Sequence, residues 1–339
     1  MKNTRILFRK LAYGCLLLLC TGCLHENPEL TEDGEMGVDP TSVILNANLN
    51  INLDFTLLEE ADTRATANDI QQRVTIAAFL DGEEVKREVI YQKVVTGRNQ
   101  LNIPVSMKLH ARLYQIVAWV DYENKNDSKG PYYITDNLTS LLCSDSYRAN
   151  TDYRDAYYAC TELDLRSYRD KWGEEISLDL NMIRPLARYE LVANDLPQLR
   201  RMIADGKTSG NKFTVKVEYN YYLPTGMNLL TGKVGHSKQY VTYSRTVTLP
   251  TDEEQEELQL AYDYVMVNGE GSFVSVNIEI ADADKQVISR VKGLQVSYEQ
   301  GHLTTKKGKF FSVEPNPGIS IDTEFDEDII IDLDRPFTN

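Results

Sequence analysis

Over residues 43–57 every odd position is apolar (Val43, Leu45, Ala47, Leu49, Ile51, Leu53, Phe55, Leu57), while the even positions are nearly all polar (Asn46, Asn48, Asn50, Asn52, Asp54, Thr56). Period two sustained over this length predicts a strand, or two strands joined by a slight bend, with one face in a core. Shorter strand-like runs separated by turn residues follow at 74–80, 85–95, 113–122, 176–180, 188–193, 213–223, 238–249, 258–267, 273–280, 287–296 and 319–333. This spacing predicts antiparallel sheets packed as sandwiches. The best helix pattern begins at Asp195 as a cap, carries Leu196, Leu199 and Ile203 on one side and stops before Gly206. The expected class is therefore all-β with one short helix.

The first residues read as an export signal. Lys2, Arg5, Arg9 and Lys10 precede an apolar run over 11–19 and then Thr21-Gly22-Cys23. The run is too short to span a bilayer, and small residues before a cysteine suit a peptidase that cuts at a lipidated thiol. Residues 1–22 are expected to be a lipoprotein signal peptide, with Cys23 carrying the lipid. Cys20 stands where such signals usually carry Leu, and an ordinary secretory signal cut nearby is the alternative. Residues 23–41 are acidic and polar, with Pro28, Gly34, Gly37 and Pro40, and read as a flexible tether. No later stretch offers 18 uninterrupted apolar residues, so acyl chains alone, at about 0.8 kcal/mol per buried methylene, would hold the chain to a membrane.

What remains after the signal is long for one domain and comfortable for two. The seam is placed near 181–185, giving an N-terminal domain over 42–183 and a C-terminal domain over 184–339. Losing four basic residues and no acidic one takes the formal charge from -15 to about -19. Such a chain repels nucleic acid and anionic lipid.

Cys15 and Cys20 leave with the signal and Cys23 takes lipid, which leaves Cys143 and Cys160. In an exported chain they form either a disulfide worth roughly 3 kcal/mol or two independent buried thiols. Four histidines, at 25, 110, 236 and 302, fall in no paired metal spacing, and neither a nucleophile elbow nor a phosphate-cradling loop is present. No catalytic residue, metal or cofactor is expected. Acidic residues gather between Asp322 and Asp334, but Ile319, Ile321, Phe325, Ile329, Ile331 and Leu333 share one parity. The carboxylates are thus expected on the solvated face of a final strand pair rather than around calcium. Twenty tyrosines against nine phenylalanines suit half-buried sheet faces or, on an exposed surface, sugar stacking.

Several segments resemble the fimbrillin-like lipoproteins of Bacteroidetes-type bacteria, the group of fimbrial shaft, tip and anchor subunits. They are Leu113-Tyr-Gln-Ile-Val-Ala-Trp-Val-Asp-Tyr122, Asn150-Thr-Asp-Tyr-Arg-Asp-Ala-Tyr157, Arg184-Pro-Leu-Ala-Arg-Tyr-Glu-Leu-Val-Ala-Asn-Asp195 and Tyr222-Leu-Pro-Thr-Gly-Met-Asn228. Leu260-Ala-Tyr-Asp-Tyr-Val265 and His302-Leu-Thr-Thr-Lys-Lys-Gly-Lys-Phe310 complete the set. The resemblance implies two transthyretin-like antiparallel β-sandwich domains and a lipid anchor in the outer membrane, facing the cell surface.

The resemblance also implies an assembly mode. Shaft subunits of this kind are trimmed after an arginine that follows an early strand, and the vacated groove accepts a strand from the next subunit. Here the displaceable strand would carry Val43, Leu45, Leu49, Ile51, Leu53, Phe55 and Leu57, with Arg64 as the candidate cleavage point; the plain alternative is an exposed loop arginine. Seven such side chains bury about 10 to 20 kcal/mol as an upper bound, which rivals the whole stability of a domain, about 5 to 15 kcal/mol. A trimmed subunit would need a donor strand at once, whereas an untrimmed one would stay closed and tethered. The expected function is that of a non-enzymatic structural or accessory, anchor-like subunit of fimbria-like appendages, partnered by other fimbrial subunits through strand pairing. The alternative is a surface lipoprotein that binds glycans or host molecules without polymerising.

Overall fold

A computed structural model describes residues 42–52, 70–94, 100–126, 130–169, 171, 174–267, 272–313 and 328–333. In the first half the strands are β1 (Ser42–Asn52), β2 (Ile70–Leu80), β3 (Glu83–Lys93), β4 (Gln100–His110) and β5 (Leu113–Asn124). They continue with β6 (Tyr133–Ile134), β7 (Leu141–Cys143), β8 (Tyr157–Asp164) and β9 (Glu175–Asn181). The second half holds β10 (Leu186–Ala193), helix α1 (Leu196–Ala204), β11 (Lys212–Tyr219), β12 (Leu223–Asn228), β13 (Lys233–Lys238) and β14 (Thr242–Thr248). It ends with β15 (Leu258–Met266), β16 (Ser272–Ala281), β17 (Val287–Tyr298), β18 (His302–Gly308) and β19 (Ile329–Asp332). The chain is all-β with one short α-helix among the described residues, as its strand periodicity predicts.

Five sheets run in the orders β4-β1-β9, β3-β2-β5-β8, β13-β12-β7-β6, β15-β10-β18-β19 and β14-β11-β16-β17. Most recorded pairings are antiparallel; β10 with β18 is parallel. The described residues form two compact units, a smaller one within 1–46, 106–113 and 164–177 and a larger one within 47–105, 114–163 and 178–339. In the smaller unit the Ile44 amide donates to the Glu174 carbonyl at 3.0 Å and the Leu165 amide to the Arg112 carbonyl at 2.8 Å.

The period-two segment behaves as its pattern requires. Leu45 and Ala47 are buried, while Asn46 and Asn48 point to the other face. There Asn46 Nδ2 donates to Glu175 Oε2 at 3.1 Å, and Asn48 Nδ2 to Asp179 Oδ1 at 3.2 Å. On β4 the same alternation buries Ile103, Val105, Met107 and Leu109 and leaves Pro104 exposed. Proline donates no amide hydrogen bond, and it is tolerated here because β4 is an edge strand.

Two clusters of buried apolar residues stand out among the described residues of the larger unit. One joins Tyr189, Leu191, Phe213, Val217 and Val276 from the two last sheets with Phe311, which follows β18, and with Leu196 and Leu199 of α1. Burying these two leucines contributes about 3 to 6 kcal/mol, enough to hold a helix too short to persist alone. The second cluster includes Phe79, Trp119, Tyr133, Leu141, Met227 and Tyr264, so it draws on both halves of the chain.

Two sequence expectations are corrected. Asp195 precedes α1, but its side chain makes no capping bond; Oδ2 instead accepts from the Phe311 and Ser312 amides at 2.9 and 2.8 Å. Ile329 and Ile331, expected to point inward, are 48% and 42% exposed, and Ile330 between them is 48% exposed. The reason is position: β19 is an edge strand four residues long, and only Leu333 beyond it is buried.

Candidate functional site

The segment between Asp145 and Tyr157 carries the most concentrated polar chemistry among the described residues. Asn150 adopts a left-handed backbone, φ 55°, which asparagine tolerates better than most residues. Its amide donates to the Tyr262 carbonyl at 3.0 Å, and its Oδ1 accepts from the Tyr262 amide at 2.9 Å, so the segment is stapled to β15. Thr151 then caps a 3-10 turn, Asp152–Arg154, by accepting from the Tyr153 amide. The turn and Asp155 just after it send three charged side chains inward, where each meets an opposite charge from beyond residue 183.

Arg154 Nη1 lies 3.3 Å from Asp263 Oδ1, and Arg188 Nη2 lies 3.7 Å from Asp152 Oδ1. Arg184 Nε donates to both Asp155 oxygens at 3.1 Å, Nη2 to Tyr157 Oη at 2.7 Å and Nη1 to the Leu333 carbonyl at 2.8 Å. A fourth pair, Arg73 with Asp121, is bidentate at 2.9 and 2.5 Å. All eight side chains are buried. Taking charges from water costs several kcal/mol per ion, so each charge here requires its partner. Burial raises the Asp263 and Asp121 carboxyls above their ordinary range, against the pull of Arg154 and Arg73, and pushes Asp152 up to about 6.

A chain of tyrosines extends from this cluster. Tyr147 and Tyr219 both donate to Asp263 Oδ2, at 2.5 and 2.7 Å. Tyr189 Oη bridges Tyr219 Oη at 2.8 Å and Tyr243 Oη at 2.9 Å. Burial raises all four phenols well above their ordinary value, so they stay protonated as donors. Arg154 stacks 4.2 Å over the Tyr147 ring.

Two tyrosines of this chain reach a cleft of about 430 Å³ lined by Tyr132, Tyr147, Arg148, Ala149, Thr151, Tyr243 and Ser244. The Arg148 guanidinium sits 3.9 Å over the Tyr132 ring, and its Nη2 donates to the Gly130 carbonyl at 2.7 Å. The cleft is thus lined by aromatic rings, hydroxyls and an arginine that are held in place by contacts behind them. Among the described residues no cluster of His, Cys, Asp and Glu could hold a metal ion.

Of the residues singled out in the sequence, Cys23, Leu53, Phe55, Leu57 and Arg64 lie outside the described residues. Val43, Leu45, Leu49 and Ile51 all lie in β1, where Leu45 is buried. Cys143 and Cys160 are free thiols here, the first buried and the second half-buried. Cys143 is buried with Arg154 Nη2 3.8 Å from its sulfur, and Cys160 Sγ lies 3.7 Å from the Leu230 carbonyl. Tyrosines divide as the sequence allowed: Tyr133, Tyr157, Tyr189 and Tyr264 are fully buried, whereas Tyr221, Tyr222 and Tyr240 are 68%, 67% and 81% exposed. The charged pairs of 152–155 were not anticipated, although the segments Asn150 to Tyr157, Arg184 to Asp195 and Leu260 to Val265 contain most of their members.

Among solved structures, the chain is similar to the fimbrial anchor protein Mfa2 from Porphyromonas gingivalis, at 13% identity and a TM-score of 0.38, over 79% of this chain and 90% of that one. It is also similar to a fimbrial assembly protein from Parabacteroides distasonis, at 14% identity and a TM-score of 0.40, over 86% and 96%. No curated protein sequence matches the chain. The model of a family of unknown function, DUF6562, matches residues 40–337, and the chain belongs to that family.

Proposed function

We propose that the chain is an outer-membrane lipoprotein, exported by residues 1–22, lipidated at Cys23 and tethered through 23–41, that serves as a structural or anchor-like subunit of fimbria-like appendages. Its sandwich domains would span 42–183 and 184–339, and its useful contacts would be made by backbone edges rather than by catalytic side chains. The observation that carries this reading is the position of β1. It lies between β4 and β9, so its withdrawal would uncover one edge of each neighbour at the same time. A gap flanked by two unpaired edges accepts only another extended strand with a matching apolar alternation.

The reading is tested in the cells that make the protein. Feeding a clickable fatty acid should label the chain, and Cys23→Ser should abolish the label. Mild, unheated extracts should show a ladder of oligomers that collapses on boiling. An unlabelled chain that is monomeric in every extract contradicts the proposal. A second reading, a glycan-binding lipoprotein that does not polymerise, is favoured by the tyrosine-lined cleft and by the exposed Tyr221, Tyr222 and Tyr240.

A further inference from the structure

We infer that Tyr221, Tyr222 and Tyr240 form a platform for a neutral saccharide chain, whose pyranose faces stack on the three rings. The inference rests on the second of the two readings above, surface glycan binding, and names its site and ligand class; it holds whether or not the chain polymerises.

The first observation is placement. The chain crosses from β11 to β12 through 220–222 and returns from β13 to β14 through 239–241, so two crossings between the same two sheets run side by side. They are laced at both ends, where the Tyr219 amide donates to the Val241 carbonyl at 3.0 Å and Leu223 pairs with Lys238. Paired segments lie about 5 Å apart, so rings on the two crossings are within reach of one ligand. The base is rigid: Leu223 and Val241 are buried, and Asn220 bonds Ser275 through its amide and its side chain, each at 2.9 Å. Above it, Tyr240, Tyr221 and Tyr222 are the three most exposed large hydrophobic side chains among the described residues. None of the three stacks on another described ring or cation, so all are open to a ligand.

The second is strain. Four described non-glycine residues hold a positive φ: Asp81, Asn150, Lys285 and Tyr240. Aspartate and asparagine tolerate that region and glycine adopts it freely, whereas a bulky side chain is strained there. Tyr240, at φ 57°, keeps its ring in solvent, so burial gives no compensation. Strain of this kind collects where a side chain is kept for what it contacts.

The third is chemistry. A hydroxyl-tipped ring offers a flat apolar face to pyranose C–H groups and exchanges hydrogen bonds with sugar hydroxyls. The exposed Gln239 amide beside Tyr240 adds two donors and an acceptor. The adjacent cation, Lys238, is engaged with Asp145 at 2.5 Å, and the chain carries 51 acidic residues against 36 basic ones. A carboxylated or sulfated glycan would find that lysine taken and the surface repelling, which favours a neutral one. Leu223 and Val241 lie beneath, so the platform lacks the apolar centre that a protein partner would bury.

The test is native electrophoresis of the detergent-solubilised full chain through gels containing hydroxyethyl cellulose, xyloglucan or galactomannan, with polygalacturonate as the anionic comparator. At least one neutral polymer should slow the native chain, and polygalacturonate should not. Tyr240→Gly should weaken binding about tenfold or more in Kd while the melting temperature stays level or rises, because glycine relieves the left-handed backbone. Tyr221→Ala combined with Tyr222→Ala should abolish the retardation at an unchanged melting temperature. A native chain slowed by no neutral polymer overturns both the inference and the glycan reading beneath it. Retardation by polygalacturonate as strong as by any neutral polymer overturns the ligand class, and retardation that survives in the variants overturns the site while saccharide binding stands. Lost binding in Tyr240→Gly with a lowered melting temperature also overturns it, since the tyrosine would then be structural.

Discussion

Arg154 and Asp263 form an ion pair with side chains 4% and 0% exposed, joining a 3-10 turn in the first half of the chain to strand β15 in the second. Asp263 also accepts from Tyr147, Tyr219 and the Tyr264 amide, so one carboxylate terminates an ion pair and three neutral hydrogen bonds. Removing the cation alone should be far worse than removing both charges. Arg154→Met is expected to cost about 3 to 5 kcal/mol, because it strands a buried carboxylate. Adding Asp263→Asn to that variant should recover part of the loss. Denaturant unfolding of the two single variants and the double variant measures the coupling.

Acid should act on Asp152 in the direction opposite to an ordinary surface ion pair. Burial raises its carboxyl from 3.8 to about 6 despite Arg188. Between about pH 4 and 6 the folded chain therefore holds a proton that the unfolded chain has released, so the contribution of this site favours folding at low pH and is lost as pH rises through about 6. Asp152→Asn isolates the effect, since it removes the titration and keeps the shape. The stability of the native chain minus that of Asp152→Asn should fall by about 2 kcal/mol between pH 4 and pH 8. A difference that stays level with pH would contradict the assignment.

Gly226 allows β12 to approach β7. A Cβ there would lie 2.7 Å from the Leu141 carbonyl oxygen and 2.7 Å from Leu142 Cδ2. Gly226→Ala should cost about 1 to 3 kcal/mol through overpacking against backbone. Gly235→Ala, on neighbouring β13 with nothing within 4 Å of the added atom, should be nearly neutral, within about 0.5 kcal/mol. Thermal unfolding of the two variants side by side makes the comparison.

Both thiols should remain reduced in the exported chain. Alkylation without reductant in denaturant, followed by peptide mass mapping, is expected to label Cys143 and Cys160 fully. In the native state Cys143 should react much more slowly, because it is buried and burial raises its thiol above the ordinary value. A Cys143–Cys160 cross-linked peptide would overturn the expectation.

Most of the strand framework was legible because burial leaves a period in the sequence. Leu45 and Ala47 on β1 and Leu196 and Leu199 on α1 fall on the buried face that their spacing requires. β4 was missed, since Pro104 argues against a strand unless the strand is known to lie at an edge, which only the sheet order shows. The run over 238–249 was read as one strand, but the chain turns at Tyr240, φ 57°, between β13 and β14; a left-handed tyrosine leaves no mark in a hydropathy pattern.

The candidate site was far less legible than the framework. A sequence gives the charge of Arg154 and Asp263 but not their burial, and a buried arginine reads like any solvated one until its partner, distant in sequence, is placed beside it. Position also explains Ile329 and Ile331: alternation identifies a strand with two faces, but whether a face is covered depends on the neighbouring elements.

The account as a whole rests on a chain anchored by its first mature residue, with β1 as the strand that governs assembly. Mass spectrometry of the mature N-terminus on cell-bound and sheared material tests this most directly. An acylated start at Cys23 is predicted for the cell-bound chain, accompanied by the same start in sheared material if the subunit is an anchor, or by a start at Ala65 if it is a trimmed shaft subunit. A non-acylated N-terminus in both fractions, at neither Cys23 nor Ala65, would contradict it.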